Sequence, residues 1–326
     1  MSNAPLGNAI VALFDHSVLL IVRLCVLFRL PKVTARYLCL SDQKFLPNPA
    51  LPKSLNDKFF WRKVFDKNPL FPIVCDKLAV RDWLKENGFD LVLPEVVWVG
   101  NDAGDIPEDL WQPGLVLKGN NGSGWNVFFK EPMPKRDDVI ARARHFATQK
   151  YGTQWYEPFY FEVQPKIYLE EFIEQAKYEL KFYTFGDIVP RVFAPYERDL
   201  TQQADIWRTD EDGLLYVSDE VSPSSKSRAN RPLPPVAAQA LAIAKALGQR
   251  FDHVRVDFLS DGHELWFSEL TLTNLGGHVD GVRGETYAQM NAAWDLRKSW
   301  FLTTPQAGWR RIYASALLRR LNARSA

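Results

Sequence analysis

The sequence predicts an α+β fold made of small lobes, and three observations lead there. Its 326 residues are 46% hydrophobic and 13% aromatic, which suits about two packed domains and excludes a disordered chain. Short runs rich in β-branched and aromatic residues, each bounded by turn residues, recur between Leu91 and Leu270 among a few helical segments. The polar residues able to do chemistry cluster at the ends of those runs. Lys+Arg 40 against Asp+Glu 39 leave a net charge of +1 with the signs interspersed, so nucleic acid is not expected as a partner. Cys25, Cys39 and Cys75 are odd in number and lack a paired C-x-x-C spacing, which supports neither a disulfide framework nor a zinc ribbon and suits a reducing cytoplasm.

In chain order, the first unit is an amphipathic helix with Leu19, Leu20, Val22, Val26, Leu27 and Leu30 apolar, interrupted by Arg23 and Arg29. No positive charge precedes Asp15, so a secretory signal is not expected. The stretch Val18 to Leu30 is shorter than the ~20 residues that span a bilayer, so it is expected to lie on a membrane or dock on the protein's own core rather than cross. The other end of the chain weighs towards a membrane surface. Trp309 to Arg324 carries Arg310, Arg311, Arg319, Arg320 and Arg324 without an acid, among Ile312, Tyr313, Leu317, Leu318 and Leu321.

Three prolines in the eight residues Phe45 to Pro52 forbid helix and mark a boundary. Asp76 stands as an N-cap for a helix to Asn87, closed by Gly88. Strands are expected at Leu91 to Leu93, Val96 to Val99, Leu115 to Lys118 and Val127 to Lys130, then a helix from Arg136 to Lys150. Further strands follow at Lys166 to Glu170, Leu180 to Phe185 and Val189 to Phe193, with Ser222 to Pro235 a surface loop. Val236 to Leu247 reads as a helix closed by Gly248, and strands Val254 to Leu259 and Leu265 to Leu270 are joined by Asp261-Gly262.

Three constellations carry chemistry. Lys118 ends a strand before Gly119-Asn120-Asn121-Gly122-Ser123-Gly124, a glycine-rich turn whose amides can close on an anion, or else an ordinary hairpin turn; it is neither a Walker A loop nor a dinucleotide fingerprint. Glu170-Glu171-Phe172-Ile173 ends a strand and can offer groups to an adenine edge, with Glu179 accepting from ribose hydroxyls; a solvated acidic turn is the alternative. Arg255 and Asp257 share one strand face, and a paired strand can set Glu269 beside Asp257. Two adjacent carboxylates suit magnesium bridging phosphates, or an ion pair with Arg255.

The ordered series Lys77, Lys118, Asn120 to Gly124, Glu170-Glu171, Lys181, Arg255, Asp257, Glu269 resembles the ATP-grasp superfamily. More narrowly, Asp76-Lys77-Leu-Ala-Val-Arg81, Val116-Leu-Lys118-Gly-Asn-Asn-Gly-Ser-Gly124, Lys166-Ile-Tyr-Leu-Glu170-Glu171, Glu179-Leu-Lys181-Phe-Tyr-Thr-Phe, Arg255-Val-Asp257-Phe and Phe267-Ser-Glu269-Leu-Thr resemble the TupA-like ATP-grasp proteins. The resemblance covers roughly Pro52 to Gly277. It implies an ATP-grasp fold, two α+β lobes gripping ATP, with amphipathic helical extensions at both ends. The expected domains are a helical segment and linker at 1–51, an N-terminal subdomain at 52–110, a lid with the glycine-rich loop at 111–175, an ATP and magnesium core at 176–285 and a basic helical extension at 286–326.

Carried over by residue, the resemblance implies Lys77 and Lys118 on phosphates, Asn121, Gly122, Ser123 and Gly124 in the lid loop, and Glu170, Glu171, Phe172 and Ile173 at adenine. Glu179 takes the ribose. Asp257 and Glu269 hold Mg2+, and Arg255 and Lys181 are catalytic, Arg255 steadying an acyl-phosphate and the tetrahedral species after it. One departure stands out: Glu269 is followed by Leu270 and Thr271, where many relatives carry Glu-x-Asn, and Asn274 lies too far along to replace the missing ligand.

The implied activity is an ADP-forming carboxylate-amine ligase of cell-surface polysaccharide or teichuronopeptide synthesis, amidating a uronic-acid carboxylate on a glycan or lipid-linked glycan with an amine or amino acid. It is expected in the cytoplasm, in peripheral contact with the inner membrane face through its termini. The other readings are a phosphotransferase on a hydroxyl acceptor, and a glycosyltransferase or non-catalytic module. The loop residues Lys226, Arg228 and Arg231 suit an anionic sugar or a solvated loop, and Trp155, Tyr156, Phe159 and Tyr160 suit sugar stacking or core. Of His16, His145, His253, His263 and His278, none shows metal-ligand spacing, and only His278, after Gly276-Gly277, lies where an acceptor loop is expected.

Overall fold

The computed structural model describes residues 4–40, 46–197, 202–278 and 284–325. Phe45, at the head of the expected linker, and the side chain of Arg324 lie outside the described residues. The chain forms two compact units, one of residues 1–68 with 273–326 and one of residues 69–272. The first begins with α1 (Ala4–Arg29), α2 (Pro31–Leu40) and α3 (Leu55–Phe65). A capping box starts α3: Ser54 Oγ accepts from the Asp57 N–H, while the Asp57 carboxylate accepts from the Ser54 N–H. The same carboxylate takes the Asn48 and Lys53 N–H groups, which folds the proline linker onto the helix.

The second unit opens with α4 (Leu70–Cys75) and α5 (Ala79–Glu86). Asp76 accepts from the Leu78 and Ala79 N–H groups at 2.9 and 3.3 Å, so the expected cap turns the chain into α5 a few residues before the helix proper. Leu91–Leu93, expected as a strand, pairs in no ladder. It lies between the Gly88 turn and Pro94, and Val92 O accepts one hydrogen bond, from the Phe267 N–H.

An antiparallel sheet follows, of β1 (Val96–Gly100), β2 (Leu115–Gly119), β3 (Asn126–Phe129) and, after α6 (Arg136–Thr148), β4 (Ile167–Glu171), in the order β1-β4-β2-β3. Val139, Ala143 and Phe146 of α6 pack on Leu117, Ile167 and Leu169. A second antiparallel sheet holds β5 (Tyr178–Phe185), β6 (Ile188–Tyr196), β7 (Gln203–Thr209) and β8 (Leu215–Ser218), then, after α7 (Ala237–Gly248), β9 (Val254–Ser260) and β10 (Leu265–Thr271). Its order is β10-β9-β5-β6-β7-β8. One face, through Leu180, Phe182, Val256, Phe258 and Leu270, packs with Ala240, Ala244 and Leu247 of α7. Strand β7 was not expected from sequence, because buried Asp205 breaks its apolar alternation; the carboxylate accepts from the Asn230 and Arg231 N–H groups and ties down the Ser222–Pro235 loop.

The chain then returns to the first unit through α8 (Gly284–Ala293), α9 (Trp300–Thr303) and α10 (Gly308–Ser325). Buried charges on α3 hold this return. Lys58 Nζ donates to the Asn291 and Trp294 carbonyls at 2.5 and 2.8 Å and Lys63 Nζ to the Gly276 carbonyl, while from α10 Arg310 donates to the Phe65 carbonyl of α3 at 2.7 Å. Arg62 lies over the Trp294 ring at 4.6 Å. Gly277, at φ +79°, lies so near Tyr37, Phe59 and Lys63 that a Cβ would collide with them.

Helix α1 docks on α10 along one stripe and leaves the other bare. Asp15 accepts from Arg319 at 2.6 and 2.9 Å, with Leu19 and Val26 buried beside it. Ile10, Leu13, Phe14, Ile21, Leu24 and Phe28 recur at helical spacing on the exposed side. The apolar stretch is also longer than Val18 to Leu30. Ala9–Arg29 spans 21 residues at a mean hydropathy of 2.2, long and apolar enough to cross a membrane by length and composition, because Asp15 is the one acid in the helix before Val18.

His278 stacks on Tyr37 at 4.2 Å between ring centroids, and burial, with Lys63 and Arg36 near, lowers its pKa to about 4. The unfolded imidazole titrates near 6.5, so acid protonates the unfolded chain first. We expect stability to fall as pH drops from about 6.5 towards 4, and His278→Phe, which keeps the stack, to flatten that part of the profile. Urea midpoints measured every half pH unit check it.

Candidate active site

The second sheet turns its other face to chemistry, and its register sets the positions. Phe193, Lys181, Asp257 and Glu269 are directly paired in one row across β6, β5, β9 and β10. Arg191, Tyr183, Arg255 and Thr271 form the next row. Facing residues of an antiparallel pair share a side, so both rows point one way.

Asp257 is fully buried at the centre. Arg255 donates to its two oxygens at 2.7 and 2.5 Å, and Lys181 Nζ lies 3.3 Å away. Burial lifts the Asp257 carboxyl, but Arg255 and then Lys181 outweigh it, so it stands below the usual aspartate range. For Lys181, too, burial is the larger single influence and pulls the ammonium down, yet Asp257 with Glu179 leaves it raised. Glu179 takes the Lys181 ammonium at 2.6 Å. Arg255 reaches Glu269 Oε1 at 3.3 Å and Thr271 Oγ1 at 3.0 Å, and Thr271 donates to Glu269 at 3.2 Å. Glu269 keeps a quarter of its side chain exposed.

The first sheet supplies the loop. Gly119 N–H donates to the Trp125 carbonyl at 3.0 Å, and Asn120 is fixed by Lys166 and Gln164. Lys77 joins the parts: its N–H donates to the Asn120 carbonyl, its Nζ to the Gly122 carbonyl, and the same Nζ lies 3.8 Å from Glu269 Oε2. Burial, and Lys118 nearby, lower the Lys77 pKa against the pull of Glu269. Gly122, at φ +77°, lies against the Tyr151 ring with no room for a Cβ. Asn121 is buried with its Oδ1 unpaired among the described residues, while Ser123 and Gly124 are exposed at the tip.

Other expected residues have different surroundings. Glu170 is buried and paired, by Lys118 Nζ and by Arg81 at 3.8 Å. Glu171 is exposed, and the Glu171 and Phe172 N–H groups already donate to the Glu95 and Gly114 carbonyls. The Phe172 ring packs on Phe128 and under Lys130, and Ile173 is buried. Arg228 pairs with Asp219 at 2.6 Å, and Arg231 lies over Tyr196 at 4.3 Å. Phe159 is core, edge-on to Phe71, and Tyr160 meets Tyr151. The sequence reading passed over Arg191. Its signal was a charge one residue after a proline inside an otherwise apolar strand.

No group of three or more His, Cys, Asp or Glu able to hold a metal occurs among the described residues. Of the Asp257 and Glu269 pair, Glu269 is open to an ion, whereas both Asp257 oxygens are held by Arg255 and Lys181 and one would have to be released to a metal. Magnesium binds through one or two carboxylates and takes its remaining ligands from phosphates and water, and Glu269 has an exposed edge for them.

A strand-end lysine and glycine loop on one antiparallel sheet, with a cation-bound carboxylate pair on another, define an ATP-grasp protein. A family model described as TupA-like ATPgrasp matches residues 57–290, and the chain belongs to that family. Among curated proteins no relative matches the sequence. Similar solved structures include D-alanine–D-alanine ligase from Helicobacter pylori, 11% identical with a TM-score of 0.43, covering 76% of this chain and 69% of that one. The Bacillus anthracis enzyme complexed with ATP is 17% identical, TM-score 0.36, covering 69% and 67%. The ATP-grasp ligase PsnB with its minimal precursor is 12% identical, TM-score 0.34, covering 69% of this chain and 61% of PsnB, so the chain spans about three fifths of that protein.

Removing Asp257 leaves Arg255 and Lys181 buried against each other. We expect Asp257→Ala to cost about 3–5 kcal/mol, and Glu269→Ala, at the partly exposed edge, about 1 kcal/mol or less. Urea denaturation of the three proteins without ligand checks the order.

Proposed function

We propose that the chain is an ATP-dependent, ADP-forming carboxylate-amine ligase acting on a cell-surface polysaccharide or its lipid-linked precursor, where it amidates a uronic-acid carboxylate. The observation that carries this reading is the direct pairing of Asp257 with Glu269 inside a ring of Lys77, Lys181 and Arg255. Three cations around two carboxylates suit a polyphosphate with magnesium, and no protein nucleophile is needed. The lobes proposed for the grip are 52–110, 111–175 and 176–285.

In this reading Lys77 and Lys118 hold phosphates, Asn121, Gly122, Ser123 and Gly124 cover them, and Glu179 takes the ribose. Within Glu170–Ile173 the Glu170 carboxylate and the Glu171 and Phe172 N–H groups are already engaged, so adenine would meet that segment through the groups left over, the exposed Glu171 side chain first. Asp257 and Glu269 would hold magnesium, which neutralises phosphate charge when bound. A substrate carboxylate oxygen attacks the γ-phosphorus and ADP leaves; the amine nitrogen then attacks the acyl carbon, phosphate leaves, and the amine loses a proton. Arg255 faces the developing oxyanion, and Lys181 fixes Asp257 and stays charged. Lys118 must leave Glu170 to reach a phosphate, after which Arg81, at 3.8 Å, is the cation left beside that buried carboxylate.

The polysaccharide substrate rests on the association of TupA-like proteins with cell-surface polymer synthesis. A peripheral contact with the inner membrane face rests on the bare stripe of α1, joined by exposed Trp309 and Ile312 of α10. Asp15, buried in its Arg319 pair within α1, favours a helix lying on lipid over one crossing it.

Melting temperatures taken with ATP, ADP and UDP-sugars, with and without magnesium, test the nucleotide. We expect a magnesium-dependent rise with ATP that Lys118→Ala and Asp257→Asn weaken, each against its own ligand-free value. A rise with a UDP-sugar alone sinks the ligase in favour of a glycosyltransferase, and phosphate retained on the acceptor instead of released would mark a phosphotransferase. For the membrane, cosedimentation with anionic phosphatidylglycerol vesicles is expected for the wild type and at least tenfold weaker for Ile21→Glu/Phe28→Glu. Equal binding by both removes α1 from the contact.

A further inference from the structure

Arg191 lies on the polar face of the second sheet, in the row that continues through Tyr183 to Arg255 and Thr271. It is 3% exposed. Its guanidinium sits 5.1 Å from the Tyr183 ring centre and 5.6 Å from that of Phe193. Among the described residues no carboxylate comes within ion-pair distance, and its buried Nε has no hydrogen-bond acceptor. The other deeply buried cation of this face, Lys181, has both Glu179 and Asp257. Aromatic faces offset part of the cost of burying a cation but leave a planar fork of donors unsatisfied. A carboxylate or a phosphate matches that fork in shape and charge.

Position separates Arg191 from the nucleotide. It stands two strands from Arg255, roughly 10 Å at the backbone, and three from Glu269. In the proposed reading the phosphate end already has Lys77, Lys118 and Arg255. We propose that Arg191 is the anion-binding residue of a second-substrate subsite, receiving an oxyanion, carboxylate or phosphate, on the molecule that reacts at the Arg255 end of its row. This rests on the reading of Arg255, Asp257 and Glu269 as the phosphate end. The acceptor class is then an acid-bearing molecule, such as an amino acid used as the amine or a phosphorylated glycan carrier, rather than a neutral amine.

The test uses the full chain with saturating MgADP and follows melting temperature with acetate, glycine, succinate and inorganic phosphate, with glycinamide as the control lacking the acid. Wild type should rise by about 2 °C or more with an acid and not with glycinamide. Arg191→Met, which keeps a stem between the two rings, should lose that rise, keep the MgADP rise, and melt no lower than wild type without ligands, because an unpaired buried charge is gone. Carboxylates alone or phosphate alone would name the group. An acid response that survives in Arg191→Met overturns the proposal, as does a variant that melts several degrees lower and loses its MgADP rise, which would make Arg191 a structural residue. Absence of any acid response in a wild type that answers MgADP also overturns it. A wild type that does not answer MgADP overturns the nucleotide reading first.

Discussion

Asp257 cannot be buried alone, and much of the second unit follows from that. A carboxylate with no exposure must be matched by cations in fixed places. Arg255 reaches it from two residues earlier on the same strand and Lys181 from directly across on β5. Those contacts fix the register of β5 on β9, and a one-residue slip would send Lys181 into the apolar side with Leu180 and Phe182. Glu269 then falls opposite Asp257, and its second oxygen lies near Lys77, which also grips the Gly122 loop. One buried charge thus coordinates two sheets and the loop between β2 and β3.

The parts of this site legible in the sequence were those written within a few residues. Arg255 and Asp257 lie at alternate positions, Asp261-Gly262 closes their hairpin, and Lys118 leads straight into its glycine turn. The pairing of Asp257 with Glu269 needed only that hairpin. What escaped depended on distant partners. Arg191 is recognisable only once β6 is registered on β5, since nothing near it in sequence tells a buried arginine from a surface one. Glu170 has the sequence of an open acidic turn, but Lys118 and Arg81 lie 52 and 89 positions before it and close it off.

The fold shows the same division. Strands with clean alternation, such as β9, were expected within a residue or two, whereas β7 was missed because Asp205 occupies an inward position that only the Asn230 and Arg231 amides justify. Leu91–Leu93 erred the other way, with strand composition but Pro94 where a ladder would need a donor. Helix α3 gave no readable pattern, since Lys58, Arg62 and Lys63 interrupt its aromatics on every side. In the structure all three are buried; Lys58 and Lys63 grip backbone from the far end of the chain, and Arg62 lies over the Trp294 ring.

That grip has a consequence for how the protein is made. Helices α1 and α3 emerge from the ribosome early, and their partners, from Thr273 to α10, emerge only after residues 69–272 have been synthesised. At ordinary elongation rates the delay is on the order of tens of seconds. The second unit has all its strands in one continuous stretch and can fold in that interval. Throughout it, Asp15 lacks Arg319, and both the docking stripe and the bare stripe of α1 face solvent or whatever surface is near. The nascent chain therefore meets its surroundings with an apolar helix exposed on all sides, at the stage when capture by lipid or a chaperone has the fewest internal competitors.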